Sequence, residues 1–373
     1  MDSYGKVKNW LLESGICILD TSDPNVGAVH SFYDLANKEF SFLYPEITGY
    51  YISTMNFLYN QENSQKYVDM ARLCVSWLIK IYDTYGGIVM GIDSDKRKTE
   101  QIFSFDSAMC AKGLLDFYDI TKEQKYREYS KKILDWIVEE CVNDAGTVKP
   151  VMMQETKKFF ESAMWYGKTS CFGIKLAMAL LDYGDAKYRE IATKICETYK
   201  KFQNENGSFA LQLGSKAVNL HSHAYAMEGL LYAYSVIREE RYLESVQKGL
   251  DWATSQIDED GSIPLWFNFN YKSKAAYPLA QLIRLLVLVN KITPNLKYID
   301  AARKLTDFIV SLQSEEKDKR ANGGFYEEFY KSIFGWKKRT RVNSWTYMFA
   351  LQALNWMENY ENLSFENSIK YLY

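Results

Sequence analysis

The residues of this 373-residue sequence best suited to moving protons are two acids and a pair of histidines. Glu46 follows Pro45 in YPEITGYYI, and Asp106 follows Phe105 in SFDSAMC, each at the start of a stretch with helical pattern. Pro suits the first position of a helix and Ser104 suits the cap before one, which puts both carboxyls in a first turn. Two carboxyls flanking a scissile bond are the machinery of glycosidic chemistry. A helix N-terminus favours an anion, so both acids are expected to have lowered pKa values and to serve as base or nucleophile rather than acid. The chain has three histidines, and His221 and His223 stand beside Tyr225 in LHSHAYAMEGLLYAY. Imidazole next to phenol is a pairing suited to proton abstraction and return. Residues two apart on a helix point in different directions, so one of these histidines is expected to face a site. His30, in GAVHSFYD, is a further candidate of the same kind.

Residues that would hold a substrate cluster in the same stretches. Tyr50 lies one turn after Glu46; Tyr166 and Lys168 open a third such stretch, and Arg339 and Arg341 precede a sixth. Glu327 and Glu328, in GGFYEEFY, offer a further acid. Trp266, Tyr277, Trp336 and Trp345 supply aromatic planes that stack on sugar rings or pack a core equally well. Acids on one side and cations on the other imply an anionic substrate, such as a uronic-acid glycan held by Lys168, Arg339 or Arg341.

The elements that must position these groups follow from an internal repeat. Turn glycines recur at Gly27, Gly87, Gly146, Gly207, Gly261 and Gly324, about sixty residues apart. Before the last five turns stands a helix opened by a basic residue and Tyr: Lys66–Tyr67, Lys125–Tyr126, Lys187–Tyr188, Arg241–Tyr242 and Lys297–Tyr298. In the first of these, Tyr67, Ala71, Cys74, Leu78 and Ile81 recur at steps of three and four, the pattern of a helix with one apolar face. Tyr4 to Glu13 supplies the sixth member. After each turn comes a helix that is apolar nearly all round, starting at Pro45, Ser104, Trp165, Leu220, Ala275 and Asn343. Such helices are buried between neighbours. Six one-sided and six all-round helices predict an all-α (α/α)6 toroid: a single domain, residues 1–373, with an inner ring of six helices inside an outer ring of six. The first turns of the inner helices would then gather at one end.

Composition narrows the function. Lys plus Arg is 45 against 47 Asp plus Glu, so the net charge of −2 predicts neither nucleic-acid binding nor attraction of the whole chain to a membrane. No apolar run is long enough to span a bilayer. The start MDSYGKVKNWLLESG lacks a signal-peptide core, and six widely spaced cysteines read as reduced, packed thiols, so a cytoplasmic protein is expected. There is no GxGxxG, P-loop, HExxH, CxxC, GxSxG or DxDD, which argues against nucleotide, zinc-hydrolase, serine-hydrolase and terpene-cyclase chemistry. No metal and no cofactor is expected.

The repeat resembles the six-hairpin (α/α)6-toroid proteins of carbohydrate metabolism over the entire chain. GAVHSFYD and YPEITGYYI, within Gly27 to Ile52, are similar to segments of proteins encoded with capsular and exopolysaccharide biosynthesis genes, related to the helical domain of glucuronyl 5-epimerases. The resemblance implies an enzyme acting on an acidic oligosaccharide or polysaccharide. Glycoside hydrolysis by Glu46 and Asp106, with His223 or Tyr225 assisting, is the leading expectation. The alternatives are a uronate lyase or 5-epimerase, with His221 or His223 as base, Tyr225 as acid and Lys168 or Arg341 steadying the enolate, or a non-catalytic glycan-binding protein of a biosynthetic assembly.

Overall fold

Helices form where the apolar periodicity places them. A computed structural model of the chain describes residues 2–93, 98–162 and 164–373. The helices are α1 (Ser3–Glu13), α2 (Pro45–Glu62), α3 (Gln65–Tyr85), α4 (Ser104–Thr121), α5 (Gln124–Trp136), α6 (Leu176–Tyr183), α7 (Ala186–Lys200), α8 (Leu220–Ile237), α9 (Glu240–Ser255), α10 (Ala276–Ile292), α11 (Leu296–Ser311), α12 (Ser344–Glu358) and the single turn α13 (Phe365–Ser368). Among the described residues no helix is long and apolar enough to cross a membrane. All six cysteines are buried and none is disulfide-bonded.

The chain divides into two compact units. The first, Gly15–Ser31 with Phe40–Tyr199 and Tyr373, contains three hairpins, α2/α3, α4/α5 and α6/α7. Every residue from Pro45 to Leu58 in α2 and from Ser104 to Phe117 in α4 is buried, whereas α3 buries one face through Tyr67, Ala71, Cys74, Leu78 and Ile81. The second, Met1–Ser14 with Phe32–Glu39 and Lys200–Leu372, pairs α8 with α9, α10 with α11, and α12 with the N-terminal α1. The Trp10 ring of α1 stacks on Tyr347 of α12, 3.4 Å between centroids, so the first helix supplies the outer partner of the last inner one.

The third inner helix departs from expectation. The stretch from Trp165 forms a short 3-10 turn (Trp165–Gly167), an extended link and a second 3-10 turn (Cys171–Lys175), and only then the two turns of α6. Gly167, Thr169, Ser170 and Gly173 are weak helix formers. A side chain at Gly173 would lie 2.9 Å from the Tyr199 ring, so this stretch is moulded to α7 instead of continuing a helix.

Short strands pin the entrances to the inner helices. Gln101–Phe103, directly before α4, pairs antiparallel with Val151–Met153. In the second unit Val218–Asn219 pairs with Trp266–Phe267 before α8, and Phe32–Asp34 pairs with Arg341–Asn343 before α12. Asn219 and Asn343 then cap their helices, accepting from the amides of Ser222 and Thr346 at 3.0 Å.

Polar groups cross the buried layer at one level. The ninth residue of α2, α4, α8, α10 and α12 is Ser53, Lys112, Glu228, Arg284 and Gln352 in turn, all buried. In the first unit Lys112 pairs with Asp116 at 2.5 Å and with Asp182 of α6 at 3.3 Å, while the Ser53 hydroxyl donates to Asp116 at 2.5 Å. In the second, Arg284 pairs with Glu228 of α8 and donates to Gln352 of α12 at 2.9 Å. A buried charge left without its partner costs roughly 3–5 kcal/mol. These bonds therefore fix how α4 is rotated against α2 and α6, and α10 against α8 and α12.

Four of the repeated turns, at Gly27, Gly146, Gly207 and Gly261, seat their loops on the following outer helix, and the turn at Gly323 sits on α1. The left-handed residue is Gly27, Gly86, Gly146, Gly207, Gly261 and Gly323, so in repeats two and six it is the glycine before the one counted from the spacing. At Gly207, φ is +91° and a Cβ would lie 2.2 Å from the Lys248 carbonyl oxygen of α9. Gly184 has a similar φ, +90°, with open space around it. Gly184→Ala is expected to cost about 1 kcal/mol in urea unfolding, the conformational penalty alone, and Gly207→Ala roughly 3 kcal/mol or more, because backbone must move as well. Equal losses would show that conformation, not contact, imposes the glycine.

Candidate functional site

In the first unit, α2 and α4 approach so closely that a Cβ on Gly49 would lie 2.9 Å from the Met109 carbonyl oxygen, and one on Gly113 2.6 Å from that of Gly49. The Cys110 thiol donates to the Pro45 carbonyl at 3.1 Å. This contact brings the first turns of both helices together, and with them Glu46 and Asp106, both buried. The cap positions are Tyr44 and Phe103, so Ser104 is the first helical residue of α4 rather than its cap. The Tyr44 side chain hydrogen-bonds both carboxyls, and Tyr50 hydrogen-bonds Glu46.

Sequence reasoning gives the wrong sign for these acids. Burial pushes Glu46 up to about 7, against the pull of Tyr44, Lys175 and Tyr50. Burial and the neighbouring Glu46 carboxylate hold Asp106 well above the usual range. Desolvation of a fully buried carboxyl outweighs the dipole of one helix end. One phenol has one proton to give, so if Tyr44 bonds two carboxyls, one of them donates back. The pair therefore keeps a proton at neutral pH, and Asp106 Oδ2 is buried without a hydrogen-bond partner. The buried cation beside them is Lys175, at the end of the second 3-10 turn, with its ammonium 5.1 Å from the Tyr50 ring centre. Lys168, the cation expected from the sequence, is in extended backbone, and Tyr166 is exposed, its ring tilted 6.2 Å from Phe103.

In the second unit the two histidines separate. His223 is fully buried: its Nδ1 accepts the Phe209 amide at 3.0 Å and its Nε2 donates to the Gly249 carbonyl at 3.2 Å. Burial pushes its pKa down to about 3. Both ring nitrogens are engaged, one by the loop that precedes α8 and the other by α9, which removes His223 from the expected proton chemistry. His221 has Tyr225 at 4.1 Å and Tyr277 at 4.8 Å between ring centres, with Phe349 at 6.3 Å; Trp345 packs edge-on to Tyr277 at 6.1 Å.

Beneath His221 runs a buried chain of polar groups. Its Nδ1 lies 2.6 Å from Gln281 Oε1, Gln281 Nε2 donates to Glu228 at 3.1 Å, and Glu228 is paired with Arg284. Glu228 is a carboxylate facing a guanidinium, so the Gln281 NH2 must point to it and the Gln281 carbonyl must point to the imidazole. His221 then carries its proton on Nδ1 and its lone pair on Nε2, the tautomer of a general base.

The remaining predicted residues are dispersed, most of them over the second unit. Glu328 accepts from Arg339 at 2.6 Å and from Tyr271 at 2.9 Å, so Arg339 is engaged by an acid instead of waiting for one. Arg341 lies 3.9 Å from Asp34 and over the Phe32 ring. Glu327 is largely buried, which raises its pKa. Trp266 stacks on Phe269 at 4.8 Å, beside the strand that enters α8. His30, in the first unit, is bound to the Ser41 carbonyl at 2.7 Å, stacks on Phe40, and has its pKa lowered by burial. Among the described residues no three His, Cys, Asp or Glu side chains converge to hold a metal.

No protein-family model matches the chain, and no curated protein matches it in sequence. Solved structures do match. Cellobiose 2-epimerase from Bacillus thermoamylovorans is similar at a TM-score of 0.76 and 13% identity, over 96% of this chain and 99% of that one. D-mannose isomerase gives 0.78 and 13%, over 97% and 96%. Unsaturated glucuronyl hydrolase from a Bacillus species, described as responsible for the degradation of glycosaminoglycan, gives 0.67 and 14%, over 96% and 95%. These neighbours are carbohydrate-processing enzymes, and the fold they share with this chain is the (α/α)6 toroid.

Proposed function

We propose that the chain is a carbohydrate-active enzyme that hydrolyses an acidic, uronic-acid-type oligosaccharide or polysaccharide, with the Glu46–Asp106 pair as its proton source. The observation that carries this reading is the pair of adjacent buried carboxyls bridged by Tyr44, whose burial raises both pKa values and so favours a shared proton. That proton passes to the glycosidic oxygen as the bond breaks, the carboxylate left behind steadies the positive charge developing on the sugar, and water then adds to the anomeric carbon and returns a proton to the pair. Tyr44 and Tyr50 orient the pair, and Lys175 limits how far its pKa rises. An acidic substrate is supported by the presence of a glucuronyl hydrolase among proteins of this fold. A role in polysaccharide biosynthesis rests on the similarity of Gly27 to Ile52, and a reducing, cytoplasmic setting on six buried, unbonded thiols.

A second reading, proton abstraction next to a uronate carboxylate, is favoured by the fixed tautomer of His221, with Tyr225 returning the proton. Incubation with acidic and neutral oligosaccharides in deuterated buffer, followed by NMR, separates the readings. New reducing ends support hydrolysis, an unsaturated uronate supports a lyase, and deuterium at C5 without cleavage supports an epimerase. Binding without turnover of any of them supports a glycan-binding protein, and turnover of neutral glycans alone overturns the acidic substrate.

Under the hydrolytic reading, Glu46→Gln lowers kcat by about 10²–10⁴-fold, the usual contribution of a positioned acid. Activity of the unaltered chain falls as pH rises through about 7, where Glu46 loses its proton. Stability has the same sign. The folded carboxyl binds its proton more tightly than the unfolded one at 4.5, so stability present at low pH is lost as pH rises from 4.5 to about 7. Thermal melts of Glu46→Gln are expected to lose less between pH 5 and 8 than those of the unaltered chain.

Under the second reading, Gln281→Leu releases the His221 tautomer, lowering kcat about tenfold or more with KM nearly unchanged and shifting the acidic limb of the pH profile, where the base takes up a proton. An unchanged pH profile would show that the polar chain below His221 serves packing alone.

A further inference from the structure

Strands Phe329–Ser332 and Gly335–Lys338 form a hairpin whose loop is two residues, Ile333 and Phe334. The turn itself is met by other groups. Gly335 takes φ +98°, and the Ser332 hydroxyl accepts the Phe334 amide at 3.1 Å and donates to the Gly335 carbonyl at 2.9 Å. Such loops favour Asn, Asp and Gly. Here Ile333 is 93% exposed and Phe334 82%, with Trp336 just behind them at 51%. Folding gains nothing from large apolar side chains left in water at that level.

The charge around this tip is one-sided. Between Lys331 and Arg341 stand Lys331, Lys337, Lys338, Arg339 and Arg341 and no acid, in a chain whose net charge is −2. Arg339 is engaged by Glu328 and Lys338 lies 3.6 Å from Glu316, whereas among the described residues Lys331 and Lys337 make no ion pair. Register puts cations on both faces of the hairpin: Lys331 is opposite Trp336 and Lys338 opposite Phe329, with Lys337 opposite Tyr330 on the other face. Lys331 and Lys337 sit two and three residues behind the apex, about 7–10 Å at the rise of a strand, and Lys338 one residue further.

We propose that this hairpin is an anchor for an anionic lipid surface. Ile333 and Phe334 enter the acyl boundary, Trp336 lies at headgroup level, and the ammonium groups meet lipid phosphates. The set-back of the cations matches the roughly 5–10 Å depth of interfacial insertion. Trp is the residue enriched at that level. Lysines near an anionic surface add attraction that two apolar side chains alone lack. A soluble acidic glycan would use the cations equally well, but gives an aliphatic Ile at the apex nothing to stack upon.

The test uses the full chain and vesicles of phosphatidylcholine with and without phosphatidylglycerol. Because all six native cysteines are buried, Ile333→Cys takes an environment-sensitive fluorophore selectively. Anionic vesicles are expected to sediment the unaltered chain and to blue-shift the probe, with little effect from neutral vesicles. Ile333→Ser with Phe334→Ser abolishes sedimentation while the melting temperature holds, since both side chains are in water. Each of Lys331→Gln and Lys337→Gln weakens partitioning roughly fivefold, and added salt weakens it further. Absence of binding to anionic vesicles, or a probe that stays in water on binding, overturns the proposal. So does equal capture by a soluble polyuronate that needs the lysines and ignores the serine substitutions.

Discussion

A charge placed inside an apolar helix must be met by a partner, and this requirement orients the inner helices of both units. Lys112 pairs with Asp116 of its own helix and with Asp182 of α6, and the second pair sets α4 against α6. Arg284 lies between Glu228 and Gln352 and so aligns α10 with α8 on one side and α12 on the other. The chemistry inherits these constraints. The salt bridge that satisfies Arg284 also fixes the Gln281 amide, and through it the nitrogen on which His221 keeps its proton.

Close backbone approach has a comparable role in the other unit. Gly49 and Gly113 let α2 and α4 touch through main chain, so two first turns share a space that would otherwise hold side chains. Two carboxyls crowded there cannot both ionise cheaply, and the result is an acid at neutral pH built from residues that are each ordinarily anions. The helix-end dipole, taken alone, argues the opposite, and it loses because its fractional charge is small beside the cost of burying a whole one.

The period, the alternation of one-sided and all-round helices, and the pairing of the N-terminal helix with the last repeat were legible in the residues, because burial imposes pattern on every turn. The third inner helix was not. Its apolar run looks helical, but Gly173 answers to packing against Tyr199, 26 residues on, and Gly167 to a close turn against Ser162. His221 and His223 could be told apart only in the fold, since which neighbour occupies a ring nitrogen is a tertiary fact. A signal for Lys175, Glu228 and Arg284 did exist: a single charge within FGIKLAMALL, AYAMEGLLYAY or QLIRLLVLV demands a buried counterpart. Reading those interruptions as constraints would have located the polar chain under His221 in advance.

The tyrosine that opens each outer helix shows how the repeats are joined. Tyr126 accepts from Arg72 of the preceding outer helix at 3.0 Å, and Tyr188 and Tyr298 donate to Asp135 and Asp251 of theirs at 2.7 and 2.8 Å. At these three junctions one hairpin holds part of the next one's hydrogen-bonding complement. Loss of one repeat strands a buried phenol or its partner in the adjacent repeat, so the energetics within a unit are those of nearest neighbours in a row. Amides next to these tyrosines would then exchange with solvent in step with the hairpin beside them, not with their own helix alone.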